Sequence, residues 1–131
     1  KGRKLKDGKD LAIISIGTVG NFATDAIRDI EALNKYTIAH YDLRFAKPLD
    51  EELLEEICTT FDKVITIEDG ILRGGVVEAV TKFLYEHNFL GKVVILGIED
   101  KFIEHGSPAE LYAICGYDVE GIKRTINHML Q

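Results

Sequence analysis

The residues whose types and spacing could do chemistry cluster around one strand end. Lys63-Val64-Ile65-Thr66-Ile67 is a β-branched run that ends at Glu68, Asp69 and Gly70, and the pair Gly74-Gly75 follows. Carboxylates at a strand end can hold a divalent cation or act as acid and base. Neighbours on an extended chain face opposite ways, so Glu68 and Asp69 do not converge on one ion. A second stretch, Gly17-Thr18-Val19-Gly20-Asn21, closes the first apolar run. If that run is a central strand, a doubly wound sheet brings Gly17–Asn21 beside Glu68–Gly75, where ligands usually sit. Amides at the helix starts there could cradle an anion. The glycines lack the G-x-G-x-x-G spacing and no P-loop occurs, so tight turns are the plainer reading.

The histidines divide by context. His105, in Phe102-Ile103-Glu104-His105-Gly106, stands near the same edge. It could carry a proton, contact a phosphate, or hold backbone groups in its loop. His40 lies within a strand pattern and reads as structural. His87 and His128 fall near helix ends, where they favour the dipole. No Ser, His and acid set, and no Cys and His pair, has a spacing that calls for nucleophilic catalysis.

Alternating strand and helix patterns position these residues. Asp10–Ile16 is nearly all apolar, as in a strand buried on both faces. Phe22, Ala26, Ile30 and Leu33 recur at helical spacing up to Asn34, a C-terminal cap. Tyr36–Leu43 is the next strand, and Arg44-Phe45-Ala46-Lys47-Pro48-Leu49 a loop. Asp50 caps a helix, Leu49 and Leu54 form a hydrophobic staple, and Glu51 and Glu52 favour the positive end of the dipole. Leu53, Leu54, Ile57, Cys58 and Phe61 give that helix a broad apolar stripe. After strand Val64–Ile67, the glycine pair opens a helix with Val76, Val80, Phe83 and Leu84 inward, stopping at Asn88. Val93–Ile98 is a further strand. Ser107-Pro108-Ala109-Glu110 has the form of a capping box with proline in the first helical position, which predicts a helix up to Gly116. Asp118 caps the last helix, with Ile122, Ile126 and Met129 on one face. Four such alternations predict an α/β domain of three layers, with parallel strands and helices on both faces of the sheet.

Composition narrows the function classes. The 131 residues amount to one domain able to bury a core, and 46% hydrophobic with 29% charged residues is ordinary for a globular protein. A net charge of −6 speaks against a nucleic-acid partner. The one basic cluster, Lys1, Arg3, Lys4, Lys6 and Lys9, reads as a solvated, linker-like end. No apolar run reaches the ~20 residues of a membrane span, and no signal peptide opens the chain, so no membrane partner is expected. Cys58 and Cys115 lack metal-ligand spacing and read as buried thiols in a reducing cytoplasm. With no initial Met, and Met129 the only one, the chain reads as a piece of something longer.

Three motifs taken in order carry a resemblance. Asp42-Leu43-Arg44-Phe45-Ala46-Lys47-Pro48-Leu49-Asp50, then Glu68-Asp69-Gly70 with Gly74-Gly75, then Phe102-Ile103-Glu104-His105-Gly106-Ser107-Pro108 resemble the C-terminal domain of the 1-deoxy-D-xylulose-5-phosphate synthases. This is the domain type that also closes transketolases and the beta subunits of oxo-acid dehydrogenases. The resemblance runs from about Gly2 to the end and makes residues 1–131 a single transketolase C-terminal-type domain. It implies a five-stranded, mostly parallel sheet whose short first strand, around Arg3–Leu5, runs antiparallel. It implies a parent transferase, a cytoplasmic homodimer using thiamine diphosphate and Mg²⁺. That enzyme joins pyruvate, after decarboxylation, to glyceraldehyde 3-phosphate at the start of non-mevalonate isoprenoid synthesis. The cofactor-binding Gly-Asp-Gly…Asn motif is absent here, so the resemblance assigns this piece no catalytic, cofactor-binding or metal residue. Where the family places a further small residue after the glycine pair, this chain has Val76-Val77-Glu78. That points to a helix start packed on protein. Arg44, Lys47, Glu68, Asp69, Gly70, Gly74, Gly75 and His105 are then expected at an interdomain edge or active-site rim, meeting the preceding domains of the same chain. The alternatives are the same domain of a transketolase or oxo-acid dehydrogenase, or a free-standing module binding a nucleotide or small anion at the Gly17/Glu68 edge.

Overall fold

A computed structural model describes residues 2–17, 19–43, 49–68, 76–97, 110–114 and 118–131. In chain order the elements are β1 (Arg3–Lys6), β2 (Leu11–Ile16), α1 (Gly20–Leu33), β3 (Ile38–Asp42), α2 (Glu51–Thr60), β4 (Lys63–Glu68), α3 (Val76–Glu86), β5 (Lys92–Leu96), β6 (Glu110–Ile114) and α4 (Val119–Leu130). The strands form one sheet in the order β1-β3-β2-β4-β5-β6. Only β1 runs antiparallel to its neighbour; every other pairing is parallel.

The strand period of two explains the layers. In β2, Leu11 and Ile13 face one side, where Ala23, Ala26, Ile27 and Ile30 of α1 and Ile122, Ile126 and Met129 of α4 close over them. Ala12, Ile14 and Ile16 face the other, against Leu54 and Ile57 of α2 and Val80, Phe83 and Leu84 of α3. All six residues of β2 are buried, as a doubly covered central strand requires. The buried stripe of α1 is one step off the predicted one: Phe22 and Leu33 are exposed, the latter at 81%. Their spacing is helical, but Ala23 and Ile27 hold the face toward the sheet, where small residues let the helix sit close.

The predicted caps are present. Asp50 accepts from the Leu53 amide at 3.1 Å, Asp118 from the Gly121 amide at 2.8 Å, and the Asn34 side chain donates to the Ile30 carbonyl at 2.9 Å. Asn88 ends α3 in the left-handed region at φ 56°, with the Phe89 amide donating back to the Leu84 carbonyl at 3.0 Å. Asp118→Ala removes one such cap and is expected to lower stability by ~1 kcal/mol in urea denaturation, with the far-UV spectrum retained.

Two expectations are revised. The five expected strands are present, and a sixth, β6, pairs with β5 from Lys92↔Glu110 to Leu96↔Ile114. It stands where the capping-box pattern predicts a helix; Ser107, Pro108 and Ala109 lie outside the described residues. A cap is worth ~1 kcal/mol, and a five-residue ladder along the edge of β5 outweighs it. The basic lead is likewise no linker. It forms β1, whose cations are paired: Arg3 with Asp42 at 4.0 Å, Lys4 with Asp7 at 3.0 Å and Glu56 at 3.4 Å, and Lys6 with Glu31. Glu56 also accepts from the Tyr41 hydroxyl at 2.9 Å, and burial, chiefly, pushes that phenol up.

Candidate functional site

β2 and β4 are neighbours whose following helices lie on opposite faces, α1 on one and α3 on the other. Their C-terminal ends meet at the pair Ile16↔Glu68. This is the switch point that the sequence locates, and it brings Gly17, Val19, Gly20 and Asn21 to the end of β4. Gly17 turns the chain out of β2 at φ 87°, a left-handed conformation that a side chain would strain.

Glu68 alone of the eight predicted rim residues lies among the described ones. Arg44, Lys47, Asp69, Gly70, Gly74, Gly75 and His105 lie outside them, as does Cys115. Glu68 is 5% exposed, and its alternation with Val64 and Thr66 turns it toward α2 and α3. The Thr66 hydroxyl beneath it is buried without a hydrogen-bond partner among the described residues.

On the α1 side of the same edge sits a polar pair that the sequence does not announce. Ser15 Oγ and His40 Nε2 are 2.8 Å apart, and both residues are buried. Burial lowers the His40 pKa to about 4, against a smaller upward pull from Asp42, so the imidazole is neutral at ordinary pH. The Leu43 amide donates to the Ser15 carbonyl at 3.1 Å, fastening the chain beyond β3 to β2. A Cβ on Gly20 would stand 3.0 Å from Ser15 Oγ and 3.9 Å from His40 Cε1, so the first turn of α1 rests on this pair. The signal was available: Ser15 and His40 alternate onto one face, in strands that turn out to be neighbours. Register supplies the contact, and register is not legible from either strand alone.

The remaining residues that could do chemistry have local work. His87 stacks on Phe83 with ring centroids 3.8 Å apart and its Nδ1 lies 2.9 Å from the Phe83 carbonyl, consistent with a helix-end role. Cys58 is half-buried, and burial, aided by Glu55, pushes its thiol up to about 11, which keeps it protonated and unreactive. Both line an open groove between the C-terminal ends of α2 and α3, at the opposite end of the sheet. Among the described residues no three His, Cys, Asp or Glu side chains come together as a metal site, and no helix is long and apolar enough to cross a membrane.

The family model for the transketolase C-terminal domain matches residues 1–122. The chain belongs to that family. Among curated relatives it is 52% identical to the 1-deoxy-D-xylulose-5-phosphate synthase of Bacteroides thetaiotaomicron over 126 residues, which is 96% of this chain and 20% of that protein. It is 44% identical to the synthase of the same name from Cytophaga hutchinsonii over 129 residues, 98% of this chain and 20% of the relative. This transketolase C-terminal domain thus spans about a fifth of the length of these relatives. Among solved structures it resembles a split-gene transketolase in an inactive β4 tetramer, with a TM-score of 0.75 and 26% identity over 99% of this chain and 42% of that one. A 2-oxoglutarate:ferredoxin oxidoreductase from Magnetococcus marinus shares the fold, with a TM-score of 0.62 and 16% identity over all of this chain and 20% of that one.

Proposed function

We propose that this chain is the C-terminal domain of a 1-deoxy-D-xylulose-5-phosphate synthase. The observation that carries the reading is the 52% identity to the Bacteroides thetaiotaomicron synthase, sustained over 96% of the chain. The parent enzyme would be a cytoplasmic homodimer that converts pyruvate and glyceraldehyde 3-phosphate to 1-deoxy-D-xylulose 5-phosphate and CO₂. Thiamine diphosphate and Mg²⁺ belong to that parent. The described residues of this chain do not fit either group: no carboxylate cluster is assembled among them, and of the acidic strand ends Glu68 is turned under α2 and α3 while Asp42 pairs with Arg3. In this reading the chain makes and breaks no bond. It supplies a rigid α/β body whose switch-point edge, with Glu68 and the segments carrying Arg44, Lys47, Asp69, Gly70, Gly74, Gly75 and His105, docks on the preceding domains and shapes the active-site rim. The likeness at a TM-score of 0.75 favours a second reading, the same domain of a transketolase, with half the sequence identity behind it.

A segment exchange tests both. In the Bacteroides thetaiotaomicron synthase, the 126 matching residues are replaced by this chain. The hybrid is expected to form 1-deoxy-D-xylulose 5-phosphate within about tenfold of the parent rate, a difference of ~1.4 kcal/mol in barrier. The parent with the segment deleted is expected to be inactive. A folded hybrid without turnover, or a deletion variant with full turnover, overturns the synthase reading. A matching exchange into a transketolase that alone restores activity installs the second.

A further inference from the structure

The Ser15–His40 pair bridges β2 and β3 next to the β2/β4 switch point. It is buried, and it touches a third element through Gly20. A buried polar pair of this kind adds little net stability over an apolar pair of the same shape. What it adds is direction: a hydrogen bond fixes the angle between its partners, whereas apolar packing tolerates sliding.

We infer that Ser15 and His40 are positioning residues for the switch-point edge, setting the first turn of α1 and the chain beyond β3 at a fixed distance from the end of β2. The geometry links them directly. Ser15 gives its side chain to His40 and its carbonyl to the Leu43 amide, so one residue fixes the exits of both strands. Gly20 has no Cβ, which lets α1 come down onto the same hydroxyl; its amide reaches back to the Gly17 carbonyl at 3.3 Å, and the Ala23 amide to the Val19 carbonyl at 3.3 Å. Leu43, just past β3, and the turn at Gly17, just past β2, are the described points where the chain leaves these two neighbouring strands. Their mutual placement therefore rests on this bond. The inference deepens the docking-edge reading above and rests on it for its consequence in the enzyme, though its structural content is separate.

Hydrogen exchange on the chain itself tests it, since two core clusters of its own give it the means to fold alone. In Ser15→Ala the amides of Ala23 and Leu43 are expected to exchange about tenfold faster than in the parent. Those of Ile65 and Val94, in the middle of β4 and β5, are expected to keep their parent rates. His40→Gln, whose amide can still meet Ser15 Oγ, is expected to keep slow exchange at both edge amides, and His40→Leu is expected to lose it. Acceleration by one common factor at all four amides would mean that the pair merely stabilises the whole fold, and would overturn the inference. So would parent-like exchange at the edge in Ser15→Ala. Should the segment-exchange enzyme fail while the edge amides respond as described, the docking reading falls and the positioning role stands.

Discussion

Acidification from pH 7 to pH 4 is expected to cost this domain about 3 kcal/mol through His40 alone, read as the difference in urea midpoint behaviour between the parent and His40→Gln. His40 is lowered from 6.5 to about 4 by burial under α1, with Asp42 opposing, and Ser15 is its hydrogen-bond partner. The unfolded chain takes up a proton near pH 6.5 that the folded chain refuses until about pH 4. Stability from this group is therefore complete above pH 6.5, falls as the pH drops through that window, and is exhausted near pH 4. The other polar contacts, such as Glu31 with Lys6 and the caps Asp50 and Asp118, are common to both proteins and cancel in the comparison. Equal acid sensitivity in parent and variant would mean that the imidazole is hydrated in the folded state.

Gly91→Ala is expected to destabilise by ~3 kcal/mol, the cost of forcing extra volume into packed backbone. A Cβ there would stand 2.0 Å from the Asp62 carbonyl oxygen and 2.8 Å from Phe89 Cζ. The same carbonyl accepts the Lys92 amide at 2.9 Å, the bond that starts β5 beside β4. Relief therefore requires moving the strand start, and the open groove nearby cannot absorb it. A thermal scan that finds Gly91→Ala within a degree or two of the parent would show that the β4 and β5 starts yield to the added methyl group.

Most of the fold was legible because it rests on periodicity. Asp10–Ile16, Val64–Ile67 and Val93–Ile98 announce themselves as strands by their apolar runs, the first as one covered on both faces, and Asp50, Asn88 and Asp118 mark helix ends by local chemistry. β6 was illegible for the converse reason: Ser107-Pro108-Ala109-Glu110 is a strong local signal, and the edge of β5 that overrides it is not local. The candidate site was legible as a place but not in its parts. Gly17 and Glu68 could be set side by side from topology, and the register Ile16↔Glu68 agrees. The Ser15–His40 bond depends on which residue of β3 lies beside which residue of β2, and on a glycine at position 20 that resembles any helix start.

The paired cations of β1 bear on how copies of this molecule coexist at high concentration. A terminal strand in a sheet offers unpaired amides and carbonyls to any extended chain that comes alongside. Here that rim carries Arg3, Lys4 and Lys6 on four residues, each held by a carboxylate from elsewhere in the fold. A second copy approaching in the same way would have to bring its own lysines against these and dislodge the carboxylates that hold them. β3 behind it, with His40 and Tyr41 buried, has no such guard of its own. The short first strand is thus a cover for the sheet as much as a member of it, and its loss would leave a bare, largely apolar edge as a template for aggregation.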